Sequence, residues 1–144
     1  MLLGEHEHAL DDKNRLTLPA KFRRALAGGV VLTRGMDGCI AVYSSDDWAH
    51  FVETRLSDLD PLSKEARQMQ RFMFAGASET EPDRQGRIMI PPALHTHAKL
   101  GREVVVAGVR DHLEIWARPA WREHIEEVEG SAERVAERLA QKRD

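Results

Sequence analysis

The chain has 144 residues, enough for one domain or for two fused half-domains that share a core. Its formal net charge of -3 gives it no overall cationic character, and its single cysteine, Cys39, excludes an internal disulfide framework and a cysteine-based zinc site. No apolar run approaches the roughly 20 residues that cross a bilayer, and charged residues follow Met1 closely, so we expect a cytoplasmic protein without a membrane span or a secretory signal.

In chain order, the first feature is a stretch that occurs twice. Residues 11–22 read DDKNRLTLPAKF and residues 83–94 read DRQGRIMIPPAL, so a shift of 72 positions superposes two D-x-x-x-R motifs and the prolines that follow them. After one inserted residue the match continues into an aromatic-x4-Trp pattern, Tyr43 to Trp48 and then Trp116 to Trp121. A half of roughly 70 residues buries too little apolar surface to be stable alone, so we expect the halves to complete one core together.

Each copy of the motif predicts a tight hairpin turn followed by a short helix. In the first half the extended runs 5–10 and 15–18 flank four residues, of which the last is Asn14; Gly86 stands at that place in the second copy. Asn and Gly tolerate positive φ best, so both copies predict the same turn. Pro19 and Pro91 then stop the strand and start a helix.

Strand pairs and amphipathic helices complete each half. A helix is predicted over residues 48–59, and another is predicted to begin at Asp60-Pro61, end at Gly76 and link the halves. We expect Gly130-Ser131 to break the last helix and leave a charged tail, either a solvated segment or a helix used in subunit contacts. The predicted divisions are a first repeat with its linking helix, a second repeat and the tail, over residues 1–75, 76–129 and 130–144.

The charges are unevenly distributed along the chain. Residues 11–24 hold five basic and two acidic side chains and residues 83–102 hold four basic and one acidic, so each repeat carries +3 and the remainder -9. Basic islands in an acidic protein are the electrostatic footprint of a nucleic-acid-binding surface. The arginine and lysine side chains at the two turns can neutralise phosphates, and arginine can also read guanine edges in a groove that admits a β-ribbon.

Metal and catalytic chemistry have little support in the sequence. His6 with His8 and His95 with His97 are candidate metal ligands, but no carboxylate or thiol lies at a fixed helical spacing to complete either set. The chain also lacks the G-x-S-x-G, P-loop and H-E-x-x-H motifs. We therefore expect no metal site, no cofactor and no enzymatic activity.

The duplicated D-x-x-x-R motif, its proline-ended strand and the aromatic-x4-Trp pattern resemble the MraZ family over residues 1–128. That family comprises bacterial transcriptional regulators built from two AbrB-like swapped-hairpin units in one chain. The resemblance implies an α+β fold, an internally duplicated swapped-hairpin β-barrel with flanking helices. It also implies a nucleoid-associated, sequence-specific repressor of the division and cell-wall gene cluster, which binds repeated promoter elements of double-stranded DNA as a homo-oligomeric ring.

The resemblance assigns the two turns as the DNA-binding surface. Carried over by position, the contacts fall first on Arg15 and Arg87 and then on Lys13 and Arg84, with Lys21 and Arg23 following the first turn. The residues expected to shape or orient the turns are Asp11, Asp83, Asn14 and Gly86. An alternative is that each arginine only pairs with its aspartate and fixes the turn, because exposed pairs of this kind are common.

Two other functions stay open at the sequence level. One is a ring-forming scaffold that binds a protein partner, favoured by the strongly charged segment from residue 122 to residue 144. The other is an AbrB-type antitoxin, which would share the fold and the DNA surface but would need a toxin-binding tail.

Overall fold

The computed structural model describes residues 1–142, which form eight strands and five α-helices. The strands are β1 (Leu2–Ala9), β2 (Arg15–Thr17), β3 (Val30–Arg34), β4 (Ile40–Ser44), β5 (Ser78–Thr80), β6 (Arg87–Met89), β7 (Glu103–Arg110) and β8 (Leu113–Ala117). The helices are α1 (Ala20–Leu26), α2 (Ser45–Phe51), α3 (Lys64–Gln70), α4 (Pro92–His97) and α5 (Arg118–Lys142). Turns of π-helix extend α2 and α3 over Val52–Leu56 and Arg71–Ala75. The mixed α+β class is therefore confirmed.

The two halves exchange strands. Six strands form one open antiparallel sheet in the order β1-β7-β8-β4-β3-β5, while β2 and β6 form a separate two-stranded ribbon. β1 pairs with β7 of the second half over its whole length, and β5 pairs with β3 of the first half. The ribbon likewise takes one strand from each half. Within the described residues the six-stranded sheet is thus open, with β1 and β5 as its edge strands.

One hydrophobic core is built from both halves. Leu16 and Phe22 of the first half lie in the same buried cluster as Ile88 and Leu94 of the second, together with the inner residues of the large sheet. Burying a side chain of this size contributes about 1.5–3 kcal/mol. The described cluster thus draws its side chains from both halves of the chain.

The turns form as expected, but the strands beside them find other partners. Asn14 and Gly86 have φ of 56° and 77°, which confirms the tight turns. The prediction that the runs 5–10 and 15–18 pair with each other as a hairpin is wrong. β1 pairs with β7 instead, and β2 pairs with β6. β7 offers eight residues to β1 and β2 only three, so pairing across the halves satisfies more backbone groups.

Three predicted helices have different bounds in the structure. The helix expected over residues 48–59 begins at Ser45, and its π-helical extension ends at Leu56. α3 begins at Lys64 rather than at Asp60-Pro61, because the Ser63 hydroxyl caps it by accepting a hydrogen bond from the Ala66 amide at 3.3 Å. α5 runs through Gly130 without the predicted break, since a glycine in an exposed helix costs only about 1 kcal/mol. Residues 143 and 144 of the predicted tail lie outside the described residues. None of the described helices is long and apolar enough to cross a membrane.

Candidate nucleic-acid interface

The first turn is organised by the carboxylate of Asp11. One oxygen, Oδ1, accepts hydrogen bonds from the backbone amides of Lys13 and Arg15, both at 2.9 Å, and Oδ2 accepts from Arg15 Nε at 2.7 Å. These contacts, above all the one from the Arg15 amide, lower the pKa of the Asp11 carboxyl to about 2. The carboxylate therefore stays ionised and fixes both the turn and the arginine side chain.

The second turn repeats this geometry. Asp83 Oδ1 accepts from the amides of Gln85 and Arg87 at 2.9 Å, and Oδ2 accepts from Arg87 Nε at 2.7 Å. The Arg87 amide is again the main reason that the pKa of the Asp83 carboxyl is lowered. Both copies of D-x-x-x-R thus encode one local structure, in which the aspartate holds the arginine through Nε. Nε makes the hydrogen bond in both pairs, which leaves the outer edge of each guanidinium for other ligands.

The ribbon joins the two turns end to end. The Leu18 amide donates to the Gly86 carbonyl at 2.8 Å, and the Ile90 amide donates to the Asn14 carbonyl at 2.9 Å. Each turn therefore caps the end of the strand from the other half. The four-residue step from Asn14 to Leu18 separates the turns by about 14 Å along the ribbon.

The two faces of the ribbon have opposite character. Leu16 and Ile88 are paired across the ribbon and fully buried on its inner face. Because side chains alternate along a strand, Arg15, Thr17, Arg87 and Met89 share the outer face. Arg15 and Arg87 are diagonal neighbours there, with Cβ atoms about 7 Å apart. Their side chains are 28% and 29% exposed, so the ribbon presents two arginines on one accessible surface.

The other predicted contacts lie in different environments. Lys13 and Arg84 are exposed at the two turns, one at each end of the ribbon. Arg23 donates from Nε to the Leu18 carbonyl at 3.0 Å and lies directly over Gly86, where an added Cβ would meet Nε at 2.6 Å. The structure therefore brings Arg23 to the second turn, although it follows the first turn in sequence.

Lys21 does not reach the ribbon surface in the same way. Its ammonium lies 5.2 Å from the centre of the Phe22 ring and close to Gly4 of β1. The structure thus places Lys21 against the large sheet, whereas the other predicted cations lie at the ribbon or its turns.

Three residues at this surface were missed by sequence reasoning. Thr17 and Met89 lie on the outer face, and the alternation of the strand around them was the signal that could have found them. Arg102 lies at the first turn, with Nη1 3.5 Å from Asp12 Oδ1. Both partners of that ion pair are largely exposed, so it contributes little to stability. No sequence pattern links residues 12 and 102, which meet because the chain returns to the turn before β7.

Two of the four candidate histidines, His6 and His97, make contacts within the fold. The His6 ring meets Phe22 edge-on, with ring centres 5.3 Å apart, and His97 Nε2 lies 3.1 Å from the Cys39 carbonyl. Among residues 1–142 no group of three or more His, Cys, Asp or Glu side chains is arranged to hold a metal ion.

Comparison with known proteins gives a consistent result for both halves. The family described as "MraZ protein, putative antitoxin-like" matches residues 1–72 and again residues 73–143. A protein of Caldanaerobacter subterraneus named transcriptional regulator MraZ is 45% identical over 96% of both chains. Proteins of the same name from Pediococcus pentosaceus and Roseiflexus castenholzii are 47% and 43% identical, over 96% and 99% of both chains. The matches cover nearly the full length of the chain and recur in each repeat, so this protein belongs to the MraZ family.

Proposed function

We propose that the chain is a sequence-specific transcriptional regulator that binds double-stranded DNA through the outer face of the β2–β6 ribbon. The observation that carries the proposal is the pair of arginines on that face, each oriented by an aspartate through Nε. A carboxylate that holds one edge of a guanidinium aims its other edge outward, which is the geometry needed for bidentate contact with guanine. The names of the relatives as transcriptional regulators support the same function.

The spacing of the cations fits a DNA groove. The turns are about 14 Å apart along the ribbon, and the major groove is about 12 Å wide and admits a two-stranded β-ribbon. Arg15 and Arg87 would read base edges at its centre, while Lys13 and Arg84 would contact the phosphate backbones on either side. Arg23 would brace the second turn and add charge. Lys21, held against the large sheet, would contribute only at longer range.

The finer features expected from the resemblance belong to this proposal. The exchange of β1 and β5 between the halves supports AbrB-like swapped-hairpin units that together make a barrel-like body. A first repeat over residues 1–75, a second over residues 76–129 and a charged tail would follow from it. The biological role would be repression of the division and cell-wall gene cluster, in the cytoplasm at the nucleoid. A homo-oligomeric ring on repeated promoter elements would add avidity, since each ribbon alone contacts few phosphates.

The test is binding to the DNA upstream of its own gene, measured by fluorescence anisotropy. The double variant Arg15→Ala/Arg87→Ala should lose specific binding while thermal unfolding and oligomeric state stay unchanged. The matched control is Arg134→Ala/Arg138→Ala, which removes the same charge from exposed positions on α5 and should bind like the wild type. Unchanged affinity of the ribbon variant, with the fold intact, would refute the proposed role of the two arginines.

One observation favours a scaffold function as the second candidate. The far part of α5 carries the exposed apolar side chains Val128, Val135 and Leu139, which a protein partner could cover. A partner captured equally well by the wild type and by the Arg15→Ala/Arg87→Ala variant would support it. DNA affinity that falls steeply with salt would count against it as the main function.

A further inference from the structure

The outer face of the ribbon is symmetric except at one pair of positions. The pseudo-twofold relation between β2 and β6 exchanges Arg15 with Arg87 and Thr17 with Met89. The arginines are equivalent in identity, in their aspartate partner and in exposure. The other pair is not, because the first half supplies a short hydroxyl side chain and the second supplies a long thioether.

Met89 is a large apolar side chain that lies mostly exposed on the outer face of the ribbon. It is 56% exposed, while Ile88 and Ile90 on either side of it are buried in the core. Across the ribbon it is paired directly with Arg15, whose guanidinium is hydrogen-bonded to Asp11 through Nε. Single exposed apolar residues are common on protein surfaces. This one is distinguished by its position beside both arginines proposed to contact bases, opposite Arg15 and two residues along β6 from Arg87.

The chemistry of the major groove offers one apolar group at this level. Base edges there present hydrogen-bond donors and acceptors, except for the C5-methyl group of thymine. Methionine is unbranched and polarisable, so it can adapt to such a methyl group without forming a hydrogen bond. A threonine at the equivalent place is shorter and can hydrogen-bond to a base edge as well as contact a methyl group.

We infer that Met89 is a specificity-determining residue, which contacts a thymine methyl group next to the base read by Arg15. Since Thr17 occupies the equivalent place beside Arg87, the two halves of the ribbon prefer different base steps and the binding site is not a perfect palindrome. This inference rests on the proposed function. It goes further by naming the base feature that is read and the half of the chain that reads it.

The probe is a DNA duplex selected from a random pool by the full-length protein. In this duplex each thymine is replaced in turn by deoxyuridine, which lacks only the methyl group. One replacement should weaken wild-type binding about four-fold, the effect of one buried methyl-sized group. The same replacement should leave the affinity of Met89→Ser unchanged, because the partner of the methyl group is already gone. Leu62→Ser, at an exposed apolar position outside the ribbon, should show the wild-type four-fold effect.

Selection with Met89→Thr gives a second readout, since this change makes the two halves of the outer face alike. Its preferred site should be more symmetric than that of the wild type. Three results would each overturn the inference while DNA binding itself stands. The first is wild-type affinity that no deoxyuridine replacement lowers, and the second is the same four-fold loss in Met89→Ser. The third is a preferred site for Met89→Thr that is as asymmetric as that of the wild type. If Arg15→Ala/Arg87→Ala binds the selected duplex like the wild type, the proposed function falls, and the role of Met89 falls with it.

Discussion

Replacing Arg15 by lysine separates base reading from simple charge neutralisation. The substitution keeps one positive charge, but the guanidinium edge is lost. In the structure Arg15 uses Nε to hold Asp11 at 2.7 Å while its outer edge stays available. A single ammonium group cannot do both, so Lys at this position either pairs with Asp11 or turns to the DNA. We therefore expect loss of discrimination with little loss of non-specific affinity.

The expected size follows from one bidentate contact. Such a contact is worth about 1–3 kcal/mol of discrimination against a wrong base. The ratio of affinities for the selected duplex and a scrambled duplex should therefore fall by about five- to 150-fold, at about 1.4 kcal/mol per factor of ten. The slope of log affinity against log salt should stay the same, because the number of neutralised phosphates is unchanged.

The assay is fluorescence anisotropy with both duplexes over a series of salt concentrations. Lys13→Ala provides the opposite pattern, because a phosphate contact weakens both duplexes alike and lowers the salt slope by about one. Arg134→Lys makes the same substitution at an exposed position on α5, outside the ribbon, and should bind both duplexes like the wild type. If Arg15→Lys weakened both duplexes equally, or behaved like the wild type, Arg15 would not read a base and the reasoning from its Nε contact would be refuted.

Other predictions concern the stability of the scaffold and its pH dependence. Gly108→Ala should destabilise the protein by at least about 1–3 kcal/mol in urea unfolding, because its Cβ would meet the Leu3 backbone nitrogen at 2.5 Å where β1 joins β7. Gly130→Ala, in open space on α5, should instead stabilise by up to about 1 kcal/mol, so destabilisation there would contradict the helix. Leu16→Ala should cost about 2–5 kcal/mol in the same assay, and a much smaller loss would mean that the ribbon does not cover the core. Because the folded pKa of Asp11 is about 2, below the ordinary value of 3.8, its stabilising effect should be complete above about pH 5 and be lost progressively as pH falls towards 2. Carboxyl NMR titration should show this directly, and Asp11→Asn should remove that part of the acid dependence.

The local features of the site could be predicted from sequence because they depend on neighbouring residues. Asn14 and Gly86 share little chemistry except tolerance of positive φ, and that was enough to predict the turns. The alternation of polar and apolar residues over 15–18 likewise places Leu16 and Leu18 on one face, and both are buried. Each of these inferences needs only a few consecutive residues and one steric rule.

The partners of each strand could not be predicted in the same way. The chain enters β1 and β2 on either side of a tight turn, which favours a local hairpin, yet both strands pair with the other half. The choice of pairing partner depends on how many backbone hydrogen bonds are formed across the whole fold. No pattern of neighbouring residues predicts it. Arg23 shows the same limit, since its contact with the Leu18 carbonyl over Gly86 exists only after the two turns have been brought together.

The ribbon contains one strand from each half of a single polypeptide, and this has a consequence for how the surface responds to dilution. If the two strands belonged to separate chains, the pair of arginines would exist only above the dissociation constant of that complex. Here the covalent connection makes assembly of the ribbon an intramolecular event, governed by the closure of a loop. The outer face of the ribbon, with both of its arginines, is therefore complete in every folded molecule, even at a few copies per cell.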